Sequence, residues 1–204
     1  VVGGKVVAAA RRHPPTVIGD GQATVRQLVD RVNEDPRRCG DHATSLSPIA
    51  IDEVALAVLA EQGLTPDSVP AAGRTVLLRQ NANLSTGGTS EDVTDIVHPE
   101  VAARAVEAAR IVGLDVAGID IVTADITQTL ESQRGVVIEV NAGPGLRMHL
   151  EPTVGTPRNV GAAIVDTLFA PDDDGRIPVA AVTGTNGKTT VVRLIDRKST
   201  RLNS

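Results

Sequence analysis

Apolar residues recur at helical spacing in several stretches of the chain. Over residues 24–32, Val25, Leu28, Val29 and Val32 fall on one side of a helix, with Thr24 where an N-terminal cap belongs. Residues 51–62 carry a second such run, which Gly63 should end because glycine enters the left-handed conformation without side-chain strain. Residues 99–112 open on Pro99, whose fixed φ suits a first helical turn, and place Val101, Ala105, Ala108 and Val112 on one face. Residues 158–168 read as a further helix. Strand character appears at residues 1–10, as a hairpin around Gly3 and Gly4, and again at residues 75–79, 116–124 and 135–140. Residues 33–48 and 81–92 are polar loops, and no internal repeat is visible.

Residues 171–177 begin Pro-Asp-Asp-Asp-Gly, charged and flanked by proline and glycine, and read as a linker after a domain spanning 1–170. Beyond it the spacing predicts a buried-type strand at 177–182, a Gly-rich loop at 183–188 and a helix from Thr189. A phosphate cradle requires this order, since backbone N–H groups at a helix N-terminus point at the anion and the helix dipole adds positive charge. Gly184 and Gly187 allow close backbone approach, Lys188 can neutralise terminal phosphates, and the Thr189 hydroxyl suits Mg²⁺. The general loop pattern wants glycine where this chain has Val182. A surface turn containing glycine and lysine is the alternative reading. This second unit covers 178–196. Residues 197–204, Arg-Lys-Ser-Thr-Arg-Leu-Asn-Ser, interrupt the apolar spacing and are expected to be an adaptor-like, non-native tail.

The other candidate chemistry lies in Gly118-Ile119-Asp120-Ile121-Val122 and in residues 137–145, Val-Ile-Glu-Val-Asn-Ala-Gly-Pro-Gly. Side chains two apart on a strand share a face, so Glu139 and Asn141 point the same way and Asp120 on the preceding strand can lie beside them. Ile119, Ile121, Ile138 and Val140 would take the buried face. Carboxylates and an amide oxygen around one point are hard donors of the kind Mg²⁺ prefers. Spacing alone fits equally well a set of polar residues on a solvated sheet face.

Composition narrows the partners. The chain has 204 residues, 41% hydrophobic and 22% charged, enough to bury one core and part of another. Its longest apolar runs fall well short of the ~20 residues a membrane span needs, so no membrane partner is expected. A net charge of −5 argues against nucleic acid, and Phe169 is the single aromatic, leaving no platform for base stacking. The lone Cys39 cannot form an internal disulfide, which fits a reducing compartment, a cytoplasmic location and an exposed loop thiol. The start at Val1, without methionine or leader pattern, reads as lying inside a domain.

Residues 184–190, Gly-Thr-Asn-Gly-Lys-Thr-Thr, resemble the phosphate loop of Mur ligases, which join amino acids to carboxylates through acyl phosphates. Residues 139–145 resemble the closing metal motif of ATP-grasp ligases, the superfamily of D-alanine–D-alanine ligase. The order of the two motifs resembles the cyanophycin synthetase family. So do Gly19-Asp20-Gly21, Asp35-Pro36-Arg37-Arg38, the Asn-Ala-Asn-Leu-Ser-Thr-Gly-Gly loop at 81–88, Thr94-Asp95 and His98-Pro99.

That resemblance implies an α/β chain. A C-terminal ATP-grasp subdomain, mostly antiparallel sheet with flanking helices, would be followed by the first strand, loop and helix of a truncated Mur-ligase-like domain. It implies ATP and Mg²⁺ as cofactors, with Asp120, Glu139, Asn141 and Thr189 as metal ligands. Gly184, Thr185, Asn186, Gly187, Lys188, Thr189 and Thr190 would bind phosphate, Lys188 with a catalytic part. Many ATP-grasp ligases carry arginine two positions before the first aspartate; this chain has Gly118, so Arg79 or Arg12 is expected to steady the reacting phosphate. Asn81, Ser85, Thr86, Gly87 and Gly88, with Arg147, would position the acceptor, an ordinary polar turn being the other reading of that loop. His98 reads as a helix-entry residue and His149 as a weaker candidate.

In such an enzyme the ATP-grasp part adds Asp to the backbone of a cyanophycin polymer or primer and the Mur-like part adds Arg to its side chains, with homo-oligomerisation expected at full length. This segment alone is expected to be inactive. The alternatives are a D-alanine–D-alanine-ligase-like enzyme fused to a Mur ligase, with other amino acids as substrates, and a non-catalytic nucleotide-binding scaffold.

Overall fold

The computed structural model describes residues 1–38, 45–169, 173, 175–176 and 179–202, the last six of these through their backbone alone. Cys39 and most of the expected linker lie outside the described residues. The chain divides into two compact units, Val1–Leu168 and Phe169–Ser204.

The core of the first unit forms around α1 (Val25–Asn33), α2 (Glu53–Glu61) and the antiparallel pair β2 (Thr16–Ile18) and β3 (Thr75–Leu77). Val25, Val29 and Leu59 from the helices meet Val17 and Val76 from the strands, all at most 2% exposed. Both helices start where the sequence supplies a cap. Thr24 accepts from the Gln27 amide at 3.3 Å while the Gln27 side chain accepts from the Thr24 amide at 2.9 Å, a reciprocal box that satisfies two otherwise orphaned donors. Asp52 caps α2 by accepting from the Ala55 amide at 3.1 Å.

The helix α3 (Pro99–Val112) has the boundaries its sequence predicts, with His98 Nδ1 accepting from the Glu100 amide at 3.2 Å and Gly113 closing it at φ 81°. Its buried face is Val101, Ala105 and Ala109, a strict fourth-residue row, and Val112 is 56% exposed. The expected face through Ala108 and Val112 is therefore turned by one position.

Two further antiparallel pairs complete the sheets: β1 (Ala10–His13) with β4 (Thr89–Asp92), and β5 (Gly118–Val122) with β6 (Val136–Asn141). The strands form three separate two-stranded sheets. At the expected N-terminal hairpin only a Val2–Lys5 bridge forms, and the strand proper begins at Ala10. The strand β4 emerges from what reads as polar loop. The expected helix at 158–168 shortens to α5 (Val160–Val165), preceded by the short α4 (Arg147–Leu150).

In the second unit, α6 spans Lys188–Leu202. No strand occurs over residues 179–183, contrary to expectation, and Val179 is 87% exposed. A lone extended segment has no ladder to satisfy its backbone groups, and none of the described residues of this unit supplies one. The helix also continues through Arg197–Leu202 rather than breaking there; lysine, arginine and leucine carry good helix propensity.

Candidate active site

Pairing of β5 with β6 sets Asp120 opposite Glu139 and Gly118 opposite Asn141. The register shifts after Asp120, so that Ile121 faces Val137 and Ile138 is the extra residue of a β-bulge. The bulge corrects the simple alternation: Ile138, expected on the buried face, is 63% exposed, while Glu139 stays level with Asp120. Asp120 and Asn141 are half-buried and Glu139 is exposed. From β1, Arg12 Nη2 donates to Asp120 Oδ2 at 2.9 Å, both side chains one-third exposed.

The position expected to carry arginine in ATP-grasp relatives is occupied by Gly118 for a steric reason. A Cβ there would lie 2.8 Å from Pro144 Cβ, so the Gly-Pro-Gly turn after β6 packs directly on this backbone. Arg12, entering from another strand, brings a guanidinium to the same carboxylate without needing that space.

A cavity of about 630 Å³ opens beside this pair, walled by Arg12, Asp120, Asn141, Ala82, Gly145 and His149 among others. Ala82 belongs to the loop 81–88, which therefore reaches the cavity. Glycines fix that approach: Gly87 has φ 97° and would place a Cβ 2.6 Å from Ile49 Cγ1, while a Cβ on Gly88 would lie 2.9 Å from the His13 carbonyl oxygen. The buried Arg38 holds the loop from behind, Nη1 donating to Gly87 O at 3.0 Å and to Ser47 O at 2.6 Å. Nothing in the spacing of Arg38 distinguished it from Arg37, which pairs with Asp35 on the surface. Within the loop, Thr86 Oγ1 donates to Asn81 Oδ1 at 3.3 Å; Ser85 is exposed.

Arg79 does not join this group. It is buried and donates to Asp52, the cap of α2, and its Nε has no acceptor among the described residues. The Asp52 carboxyl is held below its ordinary range by the Ala55 amide first and by Arg79 second. Of the two arginines expected near the reacting phosphate, only Arg12 walls the cavity. Arg147 opens α4 and is not among the wall residues.

Behind the site, Asp92 at the end of β4 accepts from Arg158 Nε at 3.0 Å and Nη2 at 2.6 Å, and Arg158 also reaches Asp95 at 2.6 Å. Burial works to raise the Asp92 pKa, but the hydrogen bonds from Arg158 and Thr94 outweigh it and bring the carboxyl down to about 2. This pairing across 66 residues has no signal in local spacing.

In the second unit the loop at 184–187 is exposed, with Gly184 at φ 144° and Gly187 at φ 79°, and leads directly into α6. Lys188 Nζ folds back on the Gly184 and Thr185 carbonyls at 2.5 and 3.3 Å. Thr185, Asn186, Thr189 and Thr190 are exposed.

Among the described residues no group of three or more His, Cys, Asp or Glu gathers into a self-sufficient metal site. Asp120, Glu139 and Asn141 nevertheless fit a hard divalent cation that draws its other ligands from water and phosphate, as Mg²⁺ does. No helix among the described residues is long and apolar enough to cross a membrane.

Residues 67–168 match the model of the RimK-like ATP-grasp domain. The chain belongs to this family. A RimK-like ATP-grasp domain thus accounts for the β5–β6 pair, α3 and the loop 81–88. The chain is 50% identical over 195 residues, 96% of its length, to cyanophycin synthetase of Nostoc sp. (strain PCC 7120 / SAG 25.82 / UTEX 2576). It is 37% identical over 169 residues, 83% of its length, to the glutathione biosynthesis bifunctional protein GshAB of Clostridium perfringens. It spans 22% of the length of each of these relatives. Among solved structures, the bifunctional glutathione synthetase from Pasteurella multocida superposes with a TM-score of 0.68 at 37% identity, covering 83% of this chain and 24% of that one.

Proposed function

We propose that this chain is part of an ATP-dependent amide-bond-forming ligase of the cyanophycin synthetase type, its first unit serving the addition of Asp and its second the addition of Arg. The observation that carries the reading is the pairing of Asp120 with Glu139 across β5 and β6, beside Asn141 and under the Arg12 guanidinium.

In this reading Asp120, Glu139 and Asn141 hold Mg²⁺, which offsets phosphate charge when bound. Arg12 orients Asp120 and faces the transferring phosphoryl group, the role for which the sequence offers Arg79 or Arg12. The loop 81–88 receives the acceptor carboxylate, with Asn81, Ser85 and Thr86 supplying polar groups and Gly87 and Gly88 letting the backbone approach. The carboxylate attacks the γ-phosphorus of ATP, an acyl phosphate and ADP result, and an amine then displaces phosphate. In the second unit Gly184–Thr190 cradles the phosphates of another ATP, Lys188 turning from the loop carbonyls to the anion and Thr189 facing its Mg²⁺.

The extent of similarity favours this reading over a glutathione-type ligase. The first unit has 168 residues, so a match over 195 residues runs well into the second unit, whereas one over 169 residues need pass its end by no more than one. The test uses the full-length enzyme and follows labelled Asp and Arg separately. Glu139→Ala should abolish Asp incorporation and spare Arg transfer to a preformed acceptor, and Lys188→Ala should do the reverse. Equal loss of both activities in either variant would sink the division of labour.

A further inference from the structure

His149 stands in the wall of the cavity that also holds Arg12, Asp120 and Asn141, yet the metal and phosphate chemistry gives it nothing to do. It lies on α4, which follows the Gly143-Pro144-Gly145 turn, and that turn is the one packed on Gly118 at the Asn141 end of the sheet. The sequence therefore delivers this imidazole to the same end of the site.

Its backbone is pinned. The Arg158 amide donates to His149 O at 2.8 Å, the His149 amide to Leu146 O at 3.0 Å, and Ser90 Oγ to Met148 O at 3.4 Å. Ser90 is 1% exposed, so α4 rests on a fixed point of β4. The ring itself is half-buried and makes no hydrogen bond to any described residue. A histidine with a purely structural part normally spends a ring nitrogen on a carbonyl or carboxylate.

Burial pushes the His149 pKa below its ordinary value, with Asp92 opposing it. Asp92 is itself committed to Arg158. The ring is thus a neutral base at physiological pH, with a lone pair available in a cavity that already contains the carboxylate-activating groups.

The amine that attacks an acyl phosphate arrives as an ammonium ion and is not nucleophilic until it loses a proton. We propose that His149 is the catalytic base that takes this proton. The inference rests on the ligase reading above. One N–H proton of the ammonium passes to a ring nitrogen, the freed electron pair forms the C–N bond, the C–O bond to phosphate breaks with phosphate taking its electron pair, and the second proton the nitrogen sheds leaves on that phosphate. The atoms and charges balance without a further reactant.

Hydroxylamine separates this role from the others, because it is already unprotonated at neutral pH and captures acyl phosphates as hydroxamates without a base. In the full-length enzyme, His149→Gln and His149→Asn should lower Asp incorporation at pH 7 by roughly 10²-fold or more, the usual worth of a general base. Hydroxamate formation with ADP release should stay within a few-fold of the parent, and the remaining Asp incorporation should rise with pH as free amine increases. Parallel loss of amide and hydroxamate in variants that still bind ATP would make His149 a structural residue and overturn the proposal. Unchanged Asp incorporation would also overturn it. Failure of the parent enzyme to form hydroxamate would instead count against the ligase reading.

Discussion

Gly87 shows how much a single backbone position controls. It takes φ 97°, and a Cβ would lie 2.6 Å from Ile49 Cγ1 and 3.1 Å from Ile49 Cα, so alanine is opposed both by its own conformation and by a neighbour it cannot push aside. Left-handed strain and overpacking each cost about 1–3 kcal/mol. Ile49 has little room to yield, because its amide and carbonyl are held by the Asn33 side chain at 2.8 and 2.9 Å. Gly87→Ala should therefore lower stability by about 2–4 kcal/mol in urea unfolding, and in the full-length enzyme should raise the KM for the acceptor more than the KM for ATP. A stability change under 1 kcal/mol would show that the loop can shift as a body. Its neighbour Gly88 packs against the His13 carbonyl, one residue from Arg12, which links the loop to Asp120 through two short steps.

At the scale of elements, Arg158 ties the approach to α5 onto the ends of β4. Its Nε and Nη2 both reach Asp92, whose side chain is 7% exposed, so Arg158→Met would leave a buried carboxylate without its counter-charge. Breaking such a pair from one side costs about 3–5 kcal/mol. The pH dependence follows from the same group. The folded pKa of Asp92, about 2, lies below its ordinary value, so its contribution to stability is fully present above pH 4 and is lost as pH falls through 2. Acid titration of unfolding should show a decline between pH 4 and pH 2 that is shallower in Arg158→Met; an identical acid limb in both proteins would remove Asp92 from the account. Elements whose signals are local were legible in the sequence: α1 from Thr24 and its row of Val25, Leu28, Val29 and Val32, α2 from its apolar run and Gly63, α3 from Pro99 and the apolar residues that follow it. The pairing of β1 with β4 was not, because Ala10–His13 and Thr89–Asp92 are mostly polar and join residues about 80 apart. Nor was the bulge at Ile138, since alternation counted along one strand cannot register an unmatched residue in its partner. Asp120, Glu139 and Asn141 could be read as one group from spacing, whereas the commitment of Arg79 to Asp52 depends on a contact across 27 residues.

For the whole molecule, the division into Val1–Leu168 and Phe169–Ser204 carries an energetic consequence. The buried apolar residues lie in the first unit, and residues 179–196 of the second are almost all exposed. Burial of apolar surface is the main favourable contribution to folding, so the cooperative transition of this 204-residue chain belongs to the first unit. Lys188→Ala removes only the ammonium contacts to the Gly184 and Thr185 carbonyls, which are exposed. It should leave the melting temperature of the chain within about a degree of the parent, since exposed substitutions usually change stability by less than about 0.5 kcal/mol. Val76→Ala, in contrast, opens a cavity at a position with 0% exposure and should lower that temperature by several degrees. Calorimetry of the three proteins decides the matter: equal shifts for Lys188→Ala and Val76→Ala would mean that the two units melt as one. A single transition moved only by Val76→Ala would mean that the phosphate loop of the second unit contributes nothing to the stability of the first.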